Sequence, residues 1–261
     1  MNIAQYTKAA SLDEAWELNQ KRSAVILGGC CWLRLSPQRR IAQAIDLSAL
    51  GLDQIEEDAE AFRLGAMVTL SQLEGSESLE AFTQGAMKEA LRHIVGTQFR
   101  NRAPLGGSIS GRFGFSDVWT LFLALGAKVE LYKGGLVSLA EFGKTGPGKD
   151  IVTHLIVPKK ACQTAYASLR LNATDFPIIA VSASTDGENV RCAIGARPAR
   201  AEVVTLPFAD VQQLGAVAAA EKIAASMKYE SNMRASEAYR RDMAEVLCRR
   251  VLTKILGGDA K

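Results

Sequence analysis

Two glycine pairs have the residue types and spacing best suited to a chemical task, the binding of phosphate groups. The pair 28–29 follows the apolar run 24–27, and the pair 106–107 follows the segment 100–104, which contains two arginines and a proline. Glycine has no Cβ, so backbone N–H groups can approach a ligand closely, and amides that point outward from such a turn favour phosphate. Two such turns could hold a pyrophosphate from two sides. The sequence therefore predicts a dinucleotide ligand, although either pair alone could also be an ordinary tight turn.

Other nucleotide-binding patterns fit less well. No Gly-x-Gly-x-x-Gly occurs, so an ordinary Rossmann site is not indicated. The segment 143–150 comes close to the phosphate-binding loop of nucleotide hydrolases. However, Asp150 stands where that loop needs a magnesium-binding hydroxyl, and Pro147 lacks an amide that the loop would use. We predict an exposed surface loop at 143–148.

The histidines and cysteines favour structural roles. The two histidines are not part of a zinc-hydrolase or serine-hydrolase motif, and we predict neither a catalytic residue nor a metal site in this chain. His93 is expected at a helix C-terminus, where it would interact with the helix dipole. Cys30 and Cys31 could be reactive thiols, but small residues packed in a tight turn are the favoured interpretation, because nothing in the sequence lowers a thiol pKa.

The composition is that of an ordinary globular protein. The chain has 261 residues, 48% hydrophobic and 23% charged, with a net charge of +3, so a dedicated nucleic-acid binder is not expected. No apolar run reaches the roughly 18 residues of a membrane helix, and the first residues do not resemble a signal peptide. The five cysteines are odd in number and include no Cys-x-x-Cys, which argues against a disulfide framework and against zinc or iron–sulfur sites. These features predict a cytoplasmic protein.

The elements that would position the glycine pairs follow from local patterns. Capping boxes at 11–14 and 69–72 predict helix starts. Apolar spacing predicts one helix over 79–94 and another from 117 to 125, and 133–135 is a hairpin turn. Strands are expected at 24–27, 41–47, 62–67, 128–132, 136–139 and 151–157.

The pattern changes after residue 158. Strands are expected at 162–171, 178–184, 190–195 and 202–206, followed by helices at about 211–228 and 235–256. A sheet followed by helices indicates a separate domain. The prediction is an α+β protein with a domain at 1–157, made of lobes at about 1–55 and 56–157, and a sheet-plus-helix domain at 158–261.

Several ordered segments resemble one family, the FAD-binding medium subunits of molybdenum hydroxylases, as in xanthine dehydrogenase and CO dehydrogenase. The resemblance covers nearly the whole chain. It rests on 25–29, 64–73, 98–108, the Ser116-Asp117 pair and 234–241. It implies a two-lobed FAD-binding domain of the vanillyl-alcohol-oxidase or PCMH type and a C-terminal domain like that of the CO dehydrogenase flavoprotein.

The resemblance also implies a role. In this family a molybdopterin-containing large subunit oxidises the substrate, and a small subunit with two [2Fe-2S] clusters relays electrons to FAD, which passes them to NAD⁺ or another acceptor. The chain would bind FAD non-covalently and would be an oxidoreductase subunit that works only with its partners. The cofactor-binding residues carried over are Leu27, Gly28, Gly29, Cys30, Cys31, Trp32, Leu33, Leu105, Gly106, Gly107, Ser108, Ser110, Gly111, Ser116 and Asp117.

The chain departs from the family pattern at named positions. Cys30-Cys31-Trp32 replaces the usual polar side chains, Ser108 replaces an Asn or Asp, and the segment 112–115 is bulkier than usual. Where the family often has a lysine and an arginine pair near Tyr166, Arg170 is the nearest cation. Two alternatives therefore stay open: a subunit of such a complex that has lost its flavin and serves in assembly, and a stand-alone flavin oxidase.

Overall fold

The computed structural model describes residues 2–35, 40–160 and 163–258. Over these ranges the strands are β1 (Asn2–Lys8), β2 (Ala24–Leu27), β3 (Arg40–Asp46), β4 (Ile55–Glu57), β5 (Ala61–Gly65), β6 (Lys128–Leu131), β7 (Gly135–Ser138), β8 (Val152–Pro158), β9 (Gln163–Leu169), β10 (Ile179–Thr185), β11 (Asn189–Gly195) and β12 (Glu202–Pro207). The α-helices are α1 (Leu12–Gln20), α2 (Leu70–Glu74), α3 (Glu77–Thr83), α4 (Ala86–Leu91), α5 (Thr97–Arg100), α6 (Leu105–Gly111), α7 (Asp117–Ala124), α8 (Leu139–Thr145), α9 (Phe208–Ala225) and α10 (Glu237–Ile255).

The chain divides into two compact units that alternate along the sequence. The first unit comprises Met1–Gln72, Thr97–Gly111 and Lys128–Val157, and the second comprises Leu73–Gly96, Arg112–Ala127 and Pro158–Lys261. The contacts thus group 73–96 and 112–127 with the C-terminal sheet, whereas the sequence pattern placed them in the second lobe. The helix–sheet mixture is the predicted α+β class.

The first unit contains two sheets. Strands β1, β3 and β2 form a parallel sheet in that order, with Leu27 opposite Asp46. Helix α1 begins at the predicted capping box, where the Ser11 hydroxyl accepts from the Glu14 amide at 3.1 Å. Strand β1 was not predicted, because nearly all of its residues are exposed and no alternating apolar pattern marks it.

The second sheet of the first unit has five strands in the order β4-β5-β8-β6-β7. The predicted hairpin is present as the antiparallel pair β6 and β7. The capping box at 69–72 is also present, since the Thr69 hydroxyl accepts from the Gln72 backbone amide at 3.2 Å. The segment that follows β5 accepts hydrogen bonds from the amides of Leu105 and Gly106, so this sheet helps to position the second glycine pair.

The second unit is built on an antiparallel sheet in the order β12-β11-β10-β9. Apolar residues of β10 and β11 form a core with α9 and α10, and α7 also packs on these two strands. The packing of α7 is close, because a Cβ at Gly195 would lie only 2.1 Å from the Thr120 hydroxyl oxygen. The four strands and two helices predicted after residue 158 are all present, with ends shifted by a few residues; Cys162 lies outside the described residues.

Some predicted elements are wrong in detail. The helix expected over 79–94 is two helices, because Gln84 and Gly85 both adopt left-handed conformations, with φ of 52° and 88°. The loop expected at 143–148 begins inside a helix, since α8 reaches Thr145 from a cap at Ser138. Among the described residues, no helix is both long and apolar enough to cross a membrane.

Candidate cofactor site

The two glycine pairs lie next to each other in the first unit. A Cβ added to Gly28 would lie 3.2 Å from Pro104 Cγ and 3.7 Å from Gly107 Cα. A Cβ added to Gly107 would lie 3.7 Å from the Gly28 carbonyl oxygen. We call residues 27–33, the first arm, and 102–108, the second arm, together the glycine cradle. It brings together the two segments that the sequence suggested could share a ligand.

The first arm of the cradle turns sharply after β2. Gly29 and Cys30 both have a φ of 58°, and the Cys30 amide donates to the Gly28 carbonyl at 2.5 Å. A Cβ at Gly29 would lie 1.8 Å from the carbonyl oxygen of Arg102, which is a severe overlap. The second arm therefore abuts the first so closely that only glycine fits at position 29.

The second arm is a short helix and not the loop that the sequence suggested. The amides of Leu105 and Gly106 donate, both at 2.8 Å, to the carbonyls of Val68 and Ala66. A Cβ at Gly106 would lie 2.7 Å from the Ala66 Cβ. These contacts fix the first turn of α6 against the segment after β5, which glycine and proline signals alone did not reveal.

The four glycines differ in the room that the fold leaves for a Cβ, which is tight at Gly28, 3.2 Å from Pro104 Cγ, and ordinary only at Gly107. Gly29 and Gly106 face neighbouring protein atoms, whereas Gly107 is exposed and its added Cβ would make only ordinary contacts. Among the described residues, no acceptor is found for the amides of Gly28, Gly29, Cys31 and Gly107. Backbone amides need a partner in the folded state, from protein, water or ligand. This cluster of open donors is what a phosphate group requires.

The other predicted residues of the cradle lie around these amides. Trp32 is 37% exposed, Leu33 begins a single 3₁₀ turn, and the Ser108 hydroxyl donates to the Pro104 carbonyl at 3.3 Å. Ser110 and Gly111 lie in the last turn of α6, half-buried and exposed respectively.

The thiols of Cys30 and Cys31 are both partly buried in the first arm. Burial raises the pKa of each thiol, and the positive charge of Arg102 opposes that rise without cancelling it. The thiols are therefore protonated at neutral pH.

Ser116 and Asp117 belong to the second unit. The Ser116 hydroxyl caps α7 by accepting from the Trp119 amide at 3.2 Å. Asp117 is buried, and its Oδ1 accepts from the hydroxyl of Tyr166 and, at 2.5 Å, from Nη2 of Arg170. We call Asp117, Tyr166 and Arg170 the buried triad.

The electrostatics of the buried triad follow from its lack of solvent. Burial raises the pKa of the Asp117 carboxyl, and the adjacent Arg170 guanidinium opposes that rise. Burial and the charge of Asp117 raise the pKa of Tyr166 well above its ordinary value, so this phenol stays protonated and donates to the carboxylate. Sequence reasoning noted Arg170 as a cation and missed its pairing with Asp117. The available signal was the spacing of Tyr166 and Arg170. They are four residues apart on β9 and the residue that follows it, and residues an even number apart lie on the same side of an extended segment.

The histidines lie outside the cradle. His154 lies on β8 with Nδ1 2.8 Å from Glu130 Oε2, an atom that also accepts from Arg63 at 2.7 Å. His93 follows the end of α4 by two residues, and its Nε2 accepts from Arg92 at 3.1 Å. In the part of the chain that the structure describes, no three His, Cys, Asp or Glu side chains are grouped to hold a metal ion.

Comparison with known proteins places the chain in a family. The family described as the FAD binding domain in molybdopterin dehydrogenase matches residues 2–160. The nicotine 6-hydroxylase medium subunit of Paenarthrobacter nicotinovorans is 28% identical, over 96% of each chain. The uncharacterized protein YgfM of Escherichia coli strain K12 is 29% identical, over 94% of this chain and 93% of that protein.

Solved structures show the same fold. A chain of quinoline 2-oxidoreductase from Pseudomonas putida 86 superposes with a TM-score of 0.84 at 21% identity, covering 98% of this chain and 97% of the other. A chain of carbon monoxide dehydrogenase from Hydrogenophaga pseudoflava gives 0.83 at 22% identity, with 97% and 96% coverage.

The chain belongs to the family of FAD-binding domains in molybdopterin dehydrogenases. It therefore has the FAD-binding domain of these oxidoreductases.

Proposed function

We propose that this chain holds FAD non-covalently in the glycine cradle and passes electrons from an iron–sulfur partner to NAD⁺ or another acceptor. One observation supports this proposal above all. The two arms of the glycine cradle lie against each other, and several of their backbone amides have no acceptor among the described residues. When bound, FAD supplies the ability to accept and release electrons, while the protein positions it and tunes its electronics.

The residues present fit a dinucleotide. The N–H groups of Gly28, Gly29, Cys31 and Gly107 would donate to the diphosphate, and hydrogen bonds to a charged acceptor are stronger than neutral ones. Gly107 is exposed and lacks a side chain, so the backbone can be approached closely. The cradle thus binds and orients the ligand by backbone groups alone, which explains how it tolerates Cys30, Cys31 and Ser108 in place of the family's polar side chains.

The role of the second unit is a separate part of the proposal. The family resemblance assigns Ser116 and Asp117 to the cofactor, yet the Ser116 hydroxyl caps a helix and Asp117 Oδ1 has two protein donors. We infer that Asp117 acts by holding Tyr166 and Arg170 in place. The division into an FAD-binding domain at 1–157 and a C-terminal domain at 158–261 is also a proposal, which the family match over residues 2–160 supports.

The proposed partners are a molybdopterin-containing large subunit and a small subunit with two [2Fe-2S] clusters. Support comes from the relative named as a medium subunit, which this chain matches over 96% of its length. In such a complex the substrate would be oxidised on the large subunit, so this chain would determine the electron acceptor and not the substrate.

A flavin-less assembly subunit is the second candidate. Cys30, Cys31 and Ser108 favour it, because these side chains depart from the family pattern at the proposed site. The visible absorbance spectrum of the purified chain, before and after addition of FAD, separates the two. Flavin absorbance that denaturation releases as free FAD is the expected result. A chain that stays colourless after reconstitution, yet still binds its partner subunits, would favour the assembly role.

A further inference from the structure

Two adjacent thiols lie in the first arm of the glycine cradle. Cys30 and Cys31 are half-buried, so neither is sealed in the core. The Cys31 thiol lies 3.7 Å from the Gly29 carbonyl oxygen, and Cys30 has the left-handed φ that forms the turn. The positive charge of Arg102 acts to lower the pKa of both thiols. Cys30 follows Gly29 directly, and Cys31 itself carries one of the open amides, so both thiols belong to the turn that presents these amides.

The second unit offers an internal contrast. Cys192 and Cys248 are fully buried in its core, with their sulfur atoms 3.9 Å apart. A reagent reaches such groups only when the core opens. A reagent that acts on the native chain should therefore distinguish the cradle thiols from this buried pair.

We propose that Cys30 and Cys31 are a modification site through which small disulfides control the loading of the cofactor. The proposal rests on the proposed function, because it needs FAD in the glycine cradle. A group attached to either sulfur would add bulk to the turn that carries the open amides, where Cys31 Sγ lies 3.7 Å from the Gly29 carbonyl oxygen, and would block the approach of a diphosphate. Bound FAD would in turn shield the thiols, so modification would act on the empty chain.

The chemistry is thiol–disulfide exchange with a low-molecular-weight disulfide, RSSR. The cysteine loses its proton, its sulfur attacks one sulfur of RSSR, the S–S bond breaks, and RSH leaves once protonated. The product is a mixed disulfide, Cys–S–SR, which excess thiol reverses by the same path. Because burial raises the pKa of both thiols, the thiolate fraction and hence the reaction rate increase as the pH rises above neutrality.

The test uses the full chain, with FAD bound or removed, treated with oxidised glutathione and mapped by peptide mass. We expect FAD to slow modification of Cys30 and Cys31 by at least about tenfold, while Cys192 and Cys248 stay unmodified in both states. The modified chain should lose FAD binding, and a reducing thiol should restore it. In the Cys30→Ser/Cys31→Ser variant, treatment should leave that variant's own FAD affinity unchanged.

Two results would overturn the inference while leaving the proposed function in place. One is equal modification of the cradle thiols with and without FAD. The other is a chain modified at both positions that still binds FAD with unaltered affinity. An untreated chain that binds no FAD under any condition would instead contradict the proposed function itself.

Discussion

The glycine cradle and the buried triad differ in how far the protein satisfies its own polar groups. In the cradle, amides of Gly28, Gly29, Cys31 and Gly107 have no acceptor among the described residues. In the triad, the Asp117 carboxylate receives donors from Tyr166 and Arg170 and is buried. The sequence resemblance assigns the two glycine pairs and, from the triad, Asp117 to the cofactor. A polar group without a protein partner therefore marks a binding surface, whereas a polar group that is buried and already hydrogen-bonded mainly stabilises the fold.

The largest expected effect is on the triad. Asp117→Ala removes the partner of a buried guanidinium, and leaving a buried charge uncompensated costs about 3–5 kcal/mol. Urea unfolding of the chain measures this loss. The matched control is Asp175→Ala, which breaks the half-exposed pair with Arg234 and should cost much less, because solvent screens that pair. Equal losses for the two variants would contradict the distinction between the buried triad and a surface ion pair.

The next effect is at the closest approach of the two cradle arms. Gly29→Ala places a methyl group on the Arg102 carbonyl at a left-handed φ, and strain and overlap together should cost about 2–4 kcal/mol. Gly51→Ala is the matched control, because Gly51 has a φ of +66° with no atom within 4 Å of the added Cβ. It should cost only the backbone strain, about 1–2 kcal/mol. Thermal unfolding compares the two, and equal costs would mean that the arms do not abut.

A smaller effect separates the members of the triad. Tyr166→Phe removes one donor to Asp117 and leaves the Arg170 ion pair, so we expect a loss of about 1.5 kcal/mol. Equilibrium unfolding in urea gives this value. A loss as large as that of Asp117→Ala would show that the phenol, and not the ion pair, stabilises this part of the second unit.

The sequence predicted much of this architecture, and its failures have physical causes. Capping boxes and strand alternation identified α1 and the C-terminal sheet, because these patterns depend on local chemistry. The pattern did not identify β1, whose side chains face solvent on both sides, or the break at Gln84 and Gly85, which depends on backbone conformation. It also could not show that Gly106 faces Ala66, since that contact joins distant parts of the chain.

The candidate site was predictable only in part for the same reason. Glycine pairs can be read from a sequence, but which glycine of each pair meets protein atoms depends on packing. The structure separates Gly29 and Gly106, which the fold needs, from Gly107, which it leaves open. Likewise the pairing of Asp117 with Arg170 joins a helix start to a strand end 53 residues away.

FAD titration of the wild-type chain, Gly107→Ala and Gly107→Val tests whether the glycine cradle holds the cofactor. Glycine is a poor helix former, so alanine at the exposed helical position 107 should keep the stability of the chain or raise it by up to about 1 kcal/mol. The added side chain should at the same time obstruct the ligand. We expect one FAD per wild-type chain by visible absorbance, weaker binding for Gly107→Ala, and none for Gly107→Val at unchanged unfolding behaviour. A folded Gly107→Val chain that keeps stoichiometric FAD would contradict the assignment of the glycine cradle.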